Sequence, residues 1–86
     1  MCYLYILKSE EYGRHYIGIT ENIENRLAKH NGGGVESTKA FRPWKMVYTE
    51  KFVTKTEARK REIYLKKHGR ERTELFEKIK NNGPIV

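Results

Sequence analysis

The sequence predicts an α+β domain in which a small, mainly antiparallel sheet of three strands is flanked by helices, in the order β-β-α-β-α-α. Three observations favour this fold. Two short apolar runs are separated by a polar turn, a third apolar run follows a glycine-rich segment, and helix signals follow the second and third runs. With 86 residues, we expect a single domain over 1–86 with one core and a functional site at its surface.

The first two strands should form a hairpin. Residues 2–7 and 15–19 are rich in the aromatic and β-branched side chains typical of strands, and the segment between them is polar. If the loop has four residues, Tyr5 lies opposite Tyr16, and both phenols project from one sheet face. The two tyrosines then either bring their hydroxyl groups together or pack as an ordinary aromatic pair. The pattern alone favours the aromatic pair.

The first helix should have Thr20 as its N-cap and end at Asn31-Gly32. Within it, Arg26 and His30 are four residues apart and share one face, which places a cation beside a proton carrier. A solvated helix face is the commoner explanation of such a pair.

The rest of the chain predicts a loop, a strand and two helices. Residues 31–43 combine glycines with small polar side chains, which predicts an exposed, mobile loop, and residues 44–53 predict the third strand. A capping box of Thr54 and Glu57 should open a helix that stops at His68-Gly69. An amphipathic pattern predicts a last helix over about 71–80.

Glu62 lies on the second predicted helix, at the edge of its apolar stripe. A carboxylate turned toward the protein needs a metal ion, an arginine or a tyrosine as partner, because burying an unpaired charge costs several kcal/mol. An ion pair with Arg59 or Arg61 meets this need as well as a metal does, so the pattern leaves both explanations open.

Composition narrows the classes of function. The 18 Lys and Arg residues exceed the 11 Asp and Glu residues by 7, which favours a polyanionic partner, nucleic acid before an acidic membrane surface. The sequence has neither a long apolar run nor a leader-like start, so we expect a cytoplasmic protein that does not enter a membrane. A single cysteine excludes an internal disulfide, and residues 32–34 lack the Gly-Lys-Ser/Thr ending of a P-loop.

Five segments together resemble the GIY-YIG nuclease superfamily. Tyr3-Leu4-Tyr5 stands where the first family motif belongs, without its Gly and Ile, and Tyr16-Ile17-Gly18 matches the second motif. The helix with Arg26 and His30, the segment from Phe41 to Tyr48 and the segment from Glu57 to Glu62 are similar to family segments in the same order. The resemblance covers about residues 2–67 and is closest to the small, single-domain members.

The resemblance implies an endonuclease that hydrolyses nucleic-acid phosphodiester bonds, in DNA rather than RNA, with one Mg²⁺ or Mn²⁺ and 5′-phosphate and 3′-hydroxyl products. It implies that Tyr5 is the general base, with His30 as a proton relay, and that Tyr16 orients the water or the phosphate. Arg26 then binds phosphate oxygens and Glu62 holds the metal. The two tyrosines could exchange roles.

Basic side chains on the same small surface should neutralise phosphates with little sequence readout. The candidates are Lys8, Lys39, Arg42, Arg59, Lys60 and Arg61. A branched substrate or a protein partner would then supply specificity to a monomer or weak dimer. The competing hypotheses are a non-catalytic nucleic-acid-binding module with this fold and a small basic RNA-associated protein, neither of which needs the five-residue catalytic set.

Overall fold

The α+β prediction is confirmed by a computed structural model that describes residues 1–83, so the last three residues of the predicted domain lie outside this range. The strands form one antiparallel sheet in the order β2-β1-β3. The elements are β1 (Cys2–Ser9), β2 (His15–Thr20), α1 (Ile23–Asn31), a 3-10 turn (Lys39–Phe41), β3 (Trp44–Phe52), α2 (Lys55–Lys67) and α3 (Gly69–Asn82).

The sheet is covered on both faces, and the two layers differ in chemistry. Helices α2 and α3 cover an apolar face, where the buried cluster consists of Leu4, Ile6, Ile17, Val47, Leu65 and Ile79. Helix α1 and the segment after it cover the other face, around Tyr5, Leu7 and Trp44. Because side chains alternate along a strand, the central strand β1 contributes to both layers.

The hairpin register differs by two residues from the prediction. Tyr5 pairs with Gly18, and Tyr16 pairs with Leu7, so the two tyrosines are diagonal neighbours on the same face. The turn closes further along the chain than expected, because the Ser9 backbone N–H donates to the Arg14 carbonyl at 2.8 Å. The predicted proximity of the phenols survives this shift, with ring centroids 6.2 Å apart.

The predicted N-cap of α1 is wrong, whereas the capping box of α2 is confirmed. Asn22 caps α1, and its side-chain oxygen accepts from the Asn25 backbone N–H at 3.0 Å. The Thr20 hydroxyl instead bonds both backbone groups of Asn22. Both residue types cap helices well, so local preference does not choose between positions two residues apart.

The segment between α1 and β3 is fixed to the sheet, which corrects the prediction of a mobile loop. The Asn31 side chain exchanges two hydrogen bonds with the Trp44 backbone, at 2.7 and 2.9 Å. The Trp44 indole N–H donates to the Thr38 carbonyl at 2.8 Å, and the Ser9 hydroxyl donates to the Phe41 carbonyl at 2.7 Å. These bonds join residues far apart in sequence, so composition does not reveal them.

Gly18 has no room for a side chain. A Cβ at this position would lie 2.6 Å from the Tyr5 hydroxyl oxygen and 2.7 Å from Tyr5 Cζ, and Tyr5 is completely buried. We expect Gly18→Ala to lower the free energy of unfolding by about 1–3 kcal/mol, the usual cost of overpacking, as measured by urea unfolding.

Gly69→Ala is the matched control, because a Cβ there would meet its nearest neighbour, the Arg72 guanidinium, at 3.4 Å. Alanine also favours the helix that Gly69 begins. Wild-type stability in Gly18→Ala would contradict the close packing of Tyr5 against β2.

Candidate active site

Three polar side chains meet at the Tyr5 hydroxyl on the α1 face of the sheet. The Tyr5 oxygen lies 2.9 Å from His30 Nε2 and accepts a hydrogen bond from Arg26 Nε at 3.2 Å. Tyr5 and His30 are both 0% exposed. Arg26 and His30 reach the same oxygen because residues four apart lie on one side of a helix. The predicted shared face of α1 is therefore turned toward the sheet and not toward solvent.

Tyr16 forms the accessible side of this cluster. Its ring centroid is 4.9 Å from that of His30, in an edge-to-face arrangement. Tyr16 is half-buried, whereas Tyr5 is fully buried. A ligand at the protein surface can therefore contact Tyr16 but not Tyr5.

Burial sets the protonation states of the two central groups. Desolvation raises the pKa of Tyr5 although Arg26 donates to it, and the nearby Tyr16 and Glu62 side chains raise this pKa further. Desolvation, together with the positive charges of Arg26 and Lys29, lowers the pKa of His30 to about 4. At neutral pH the pair is thus a neutral phenol and a neutral imidazole.

Thr38 belongs to the cluster, and the sequence reasoning missed it. Its hydroxyl lies 2.8 Å from His30 Nδ1 and 3.3 Å from the Val35 carbonyl oxygen, and the residue is 1% exposed. The glycine-rich composition assigned this segment to a loop. No spacing rule relates a loop residue to a helix residue eight positions earlier, so only the fold of the segment reveals Thr38.

Glu62 lies on α2 with a side chain that is 12% exposed. Lys66 Nζ donates to its Oε2 at 3.1 Å, and Arg59 Nε lies 3.6 Å from its Oε1. The alternative pair with Arg61 does not form, because the Arg61 guanidinium bonds the Glu50 carboxylate of β3, with Nε 3.0 Å from Oε1. The negative charge of Glu62 raises the pKa of Tyr5, so this carboxylate acts electrostatically on the cluster.

Glu62 is the carboxylate that the family resemblance assigns to a metal ion. Among residues 1–83 there is no group of three or more His, Cys, Asp or Glu side chains that could enclose a metal. Mg²⁺ in proteins often has one or two carboxylate ligands and completes its shell with water and substrate phosphates. In this structure both oxygens of Glu62 are paired with cationic side chains, Oε2 with Lys66 and Oε1 with Arg59.

The predicted phosphate-binding cations are not all in one place. Lys39 and Arg42 are exposed on the segment after α1, and Arg59 and Lys60 are exposed on α2. Arg61 is half-buried and joins α2 to β3 through Glu50, so it serves the fold.

Lys8 lies on the opposite face of the sheet from Tyr5. It lines a cavity of about 250 Å³ together with His15 and Lys45, next to α3. Strand alternation places it there, because Leu4 and Ile6 on the same strand also face this side.

Comparison with known proteins identifies the family of the chain. A family model described as the GIY-YIG catalytic domain matches residues 1–75. The chain belongs to the GIY-YIG family. This confirms the resemblance drawn from the five segments and places the chain in a nuclease family, whose substrate is nucleic acid.

The relatives of this GIY-YIG domain are UPF0213 proteins. One from Staphylococcus saprophyticus is 45% identical over 71 residues, which cover 81% of this chain and 85% of that protein. One from Bacillus licheniformis is 44% identical over 75 residues, 86% of this chain and 76% of that protein. The solution NMR structure of a UPF0213 protein from Bacillus halodurans has a TM-score of 0.55 and 33% identity, and the match covers 93% of this chain and 86% of that chain.

The GIY-YIG fold is thus confirmed, and it occurs here in the form shared with small UPF0213 proteins. Within the part of the chain that the structure describes, no helix combines the length and apolar character needed to cross a membrane.

His30 should make the stability of the GIY-YIG domain depend on pH. Its pKa is about 4 in the folded state and about 6.5 in an unfolded chain, so the unfolded state binds more protons between these values. The His30 contribution is complete above pH ~6.5 and is lost as the pH falls toward ~4, by at most about 1.4 kcal/mol per pH unit. Urea unfolding at a series of pH values measures it.

His30→Gln should show a smaller loss of stability over the same pH window than the wild type. His68→Gln is the control, because His68 is exposed at the end of α2 and should retain the wild-type pH dependence. The same pH slope in His30→Gln and wild type would contradict a buried neutral imidazole.

Proposed function

We propose that this GIY-YIG domain is a metal-dependent endonuclease that hydrolyses DNA with low sequence specificity and leaves 5′-phosphate and 3′-hydroxyl ends. The observation that supports this best is the convergence of Tyr5, Arg26 and His30 on one oxygen beside the accessible Tyr16. Burying polar groups such as a phenol, a guanidinium and an imidazole has a desolvation cost that apolar side chains in the same place would not have. Such groups with shifted pKa values mark functional sites more often than structural ones.

In this proposal the two tyrosines have different roles in general-base catalysis. Tyr5 is completely buried, so an attacking water at the surface does not touch its oxygen in this structure. Tyr16 is half-buried at the rim, and we assign contact with the water or the scissile phosphate to it. The Tyr5–His30 pair behind it offers a neutral imidazole that can accept a proton.

Arg26 and Glu62 have different roles at the phosphate in this proposal. Arg26 already donates through Nε to Tyr5, and we assign its terminal nitrogens to the non-bridging phosphate oxygens. Glu62, whose carboxylate oxygens lie beside Arg59 and Lys66, would hold Mg²⁺ or Mn²⁺. The bound ion would supply Lewis-acid stabilisation of the leaving 3′ oxygen.

Glu62→Gln should lower cleavage at least ~100-fold while the fold remains intact, because the amide keeps the size of the side chain but loses the charge that holds a metal. The assay uses end-labelled single-stranded, duplex and branched DNA and RNA with Mg²⁺, Mn²⁺ or a chelator. Glu74→Gln is the matched control, since Glu74 also pairs with a cation on its own helix, Arg70 at 3.4 Å, but is 65% exposed on α3.

Full activity in Glu62→Gln, or cleavage that resists the chelator, would overturn the metal assignment. Binding without cleavage on every substrate would instead favour the non-catalytic nucleic-acid-binding module.

DNA binding should depend steeply on salt, because four of the predicted cations are exposed and available to phosphates, two on the segment after α1 and two on α2: Lys39, Arg42, Arg59 and Lys60. Four phosphate contacts predict a loss of affinity of about 100-fold between about 50 and 200 mM salt. Removing two of them, in Lys39→Gln with Arg42→Gln, should lower the slope of log affinity against log salt by about 1.8. Fluorescence anisotropy of labelled duplex DNA measures both quantities.

The control removes the same charge from the opposite face, in Lys8→Gln with Lys45→Gln. We expect this double variant to keep the wild-type slope. A larger effect at Lys8 and Lys45 than at Lys39 and Arg42 would show that DNA binds on the α3 face.

A further inference from the structure

An unbroken chain of hydrogen bonds links the sheet to the segment after α1. Arg26 Nε donates to the Tyr5 oxygen, which lies 2.9 Å from His30 Nε2. On the other side of the imidazole ring, Nδ1 lies 2.8 Å from the Thr38 hydroxyl. That hydroxyl is 3.3 Å from the carbonyl oxygen of Val35 and donates to it. The chain therefore ends on a backbone acceptor.

The burial of Tyr5 decides where the protons lie. Its hydroxyl proton needs an acceptor, and a side chain that is 0% exposed has no access to bulk water. Arg26 has no acceptor atom, so His30 Nε2 must accept the Tyr5 proton. A neutral histidine carries one N–H group, which is then at Nδ1 and donates to the Thr38 hydroxyl. The Thr38 hydroxyl donates in turn to the Val35 carbonyl, and every group in the chain has a hydrogen-bond partner.

We propose that Thr38 is a positioning residue that holds His30 in the Nδ1–H form and so keeps Nε2 available as the proton acceptor of Tyr5. The effect on cleavage rests on the proposed function, whereas the state of the imidazole does not. Thr38 is suited to this task because it is buried and its backbone is fixed by the Trp44 indole at 2.8 Å.

This arrangement lets one proton move without changing the charge of the site. The Tyr5 O–H bond breaks as the bond from the proton to His30 Nε2 forms, which gives a phenolate beside the Arg26 guanidinium and an imidazolium. The imidazolium keeps its second N–H on Thr38. The net charge of the pair is zero before and after the transfer, while the raised pKa of Tyr5 and the lowered pKa of His30 make the neutral pair the resting state.

The test compares Thr38→Val, which keeps the shape but loses the hydroxyl, with Thr38→Ser, which retains it. Proton–nitrogen NMR correlations of the imidazole ring at neutral pH report which nitrogen of His30 carries the proton. We expect the Nδ1–H form in the wild type and in Thr38→Ser. In Thr38→Val we expect part or all of the population in the Nε2–H form, with cleavage lowered at least ~10-fold and DNA affinity within about twofold of wild type.

Thr73→Val is the control for loss of a threonine hydroxyl, since Thr73 is exposed on α3 and bonds its own helix. It should leave the His30 spectrum and cleavage unchanged. The proposal is overturned by an Nε2–H form in the wild type, or by a pure Nδ1–H form in folded Thr38→Val. If Thr38→Val does not fold, the wild-type and Thr38→Ser spectra decide.

Failure of the proposed function would look different. If no substrate is cleaved by any form of the protein, the imidazole spectra of wild type and Thr38→Val still test the role of Thr38 in setting the form of His30.

Discussion

The buried hydrogen bond between Tyr5 and His30 is the constraint on which the rest of the site depends. Neither side chain is exposed, so each must find every partner within the protein. This requires a helix that brings a histidine to the central strand, a glycine on β2 that leaves space for the phenol, and a second acceptor behind the imidazole. The sheet register, the position of α1 and the fixed segment before β3 all satisfy these requirements together.

Because side chains alternate along β1, the main apolar cluster and the polar cluster of the candidate site lie on opposite faces of the sheet. The even-numbered Leu4 and Ile6 of β1 join the buried apolar cluster under α2 and α3. The odd-numbered Tyr5 faces α1, where polar groups are buried. The free-energy cost of burying those polar groups is therefore offset by the hydrophobic contacts of the neighbouring β1 residues, which lie on the other face of the sheet. The exception is Glu62, whose helix belongs to the apolar layer but whose charge raises the pKa of Tyr5.

Local signals in the sequence predicted most of the fold, and long-range bonds account for what they did not predict. The strands, the capping box of α2 and the face shared by Arg26 and His30 follow from spacing alone. The hairpin register depends on how the turn closes, and the partner of Glu62 depends on competition, because Glu50 on β3 holds Arg61. The fixed segment around Thr38 also depends on contacts that composition does not encode.

A domain of 86 residues is too small to enclose a nucleic acid, so under the proposed function its reacting groups must be ordered by other means. A buried hydrogen bond does this for Arg26, which reaches the surface and is held by the fully buried Tyr5. Arg26 is oriented by Tyr5, and Tyr5 by His30. In such an arrangement the cost of ordering is met on folding and not during the reaction, which is the physical basis of electrostatic preorganisation. A shallow site can then be selective for chemistry while remaining open to long substrates.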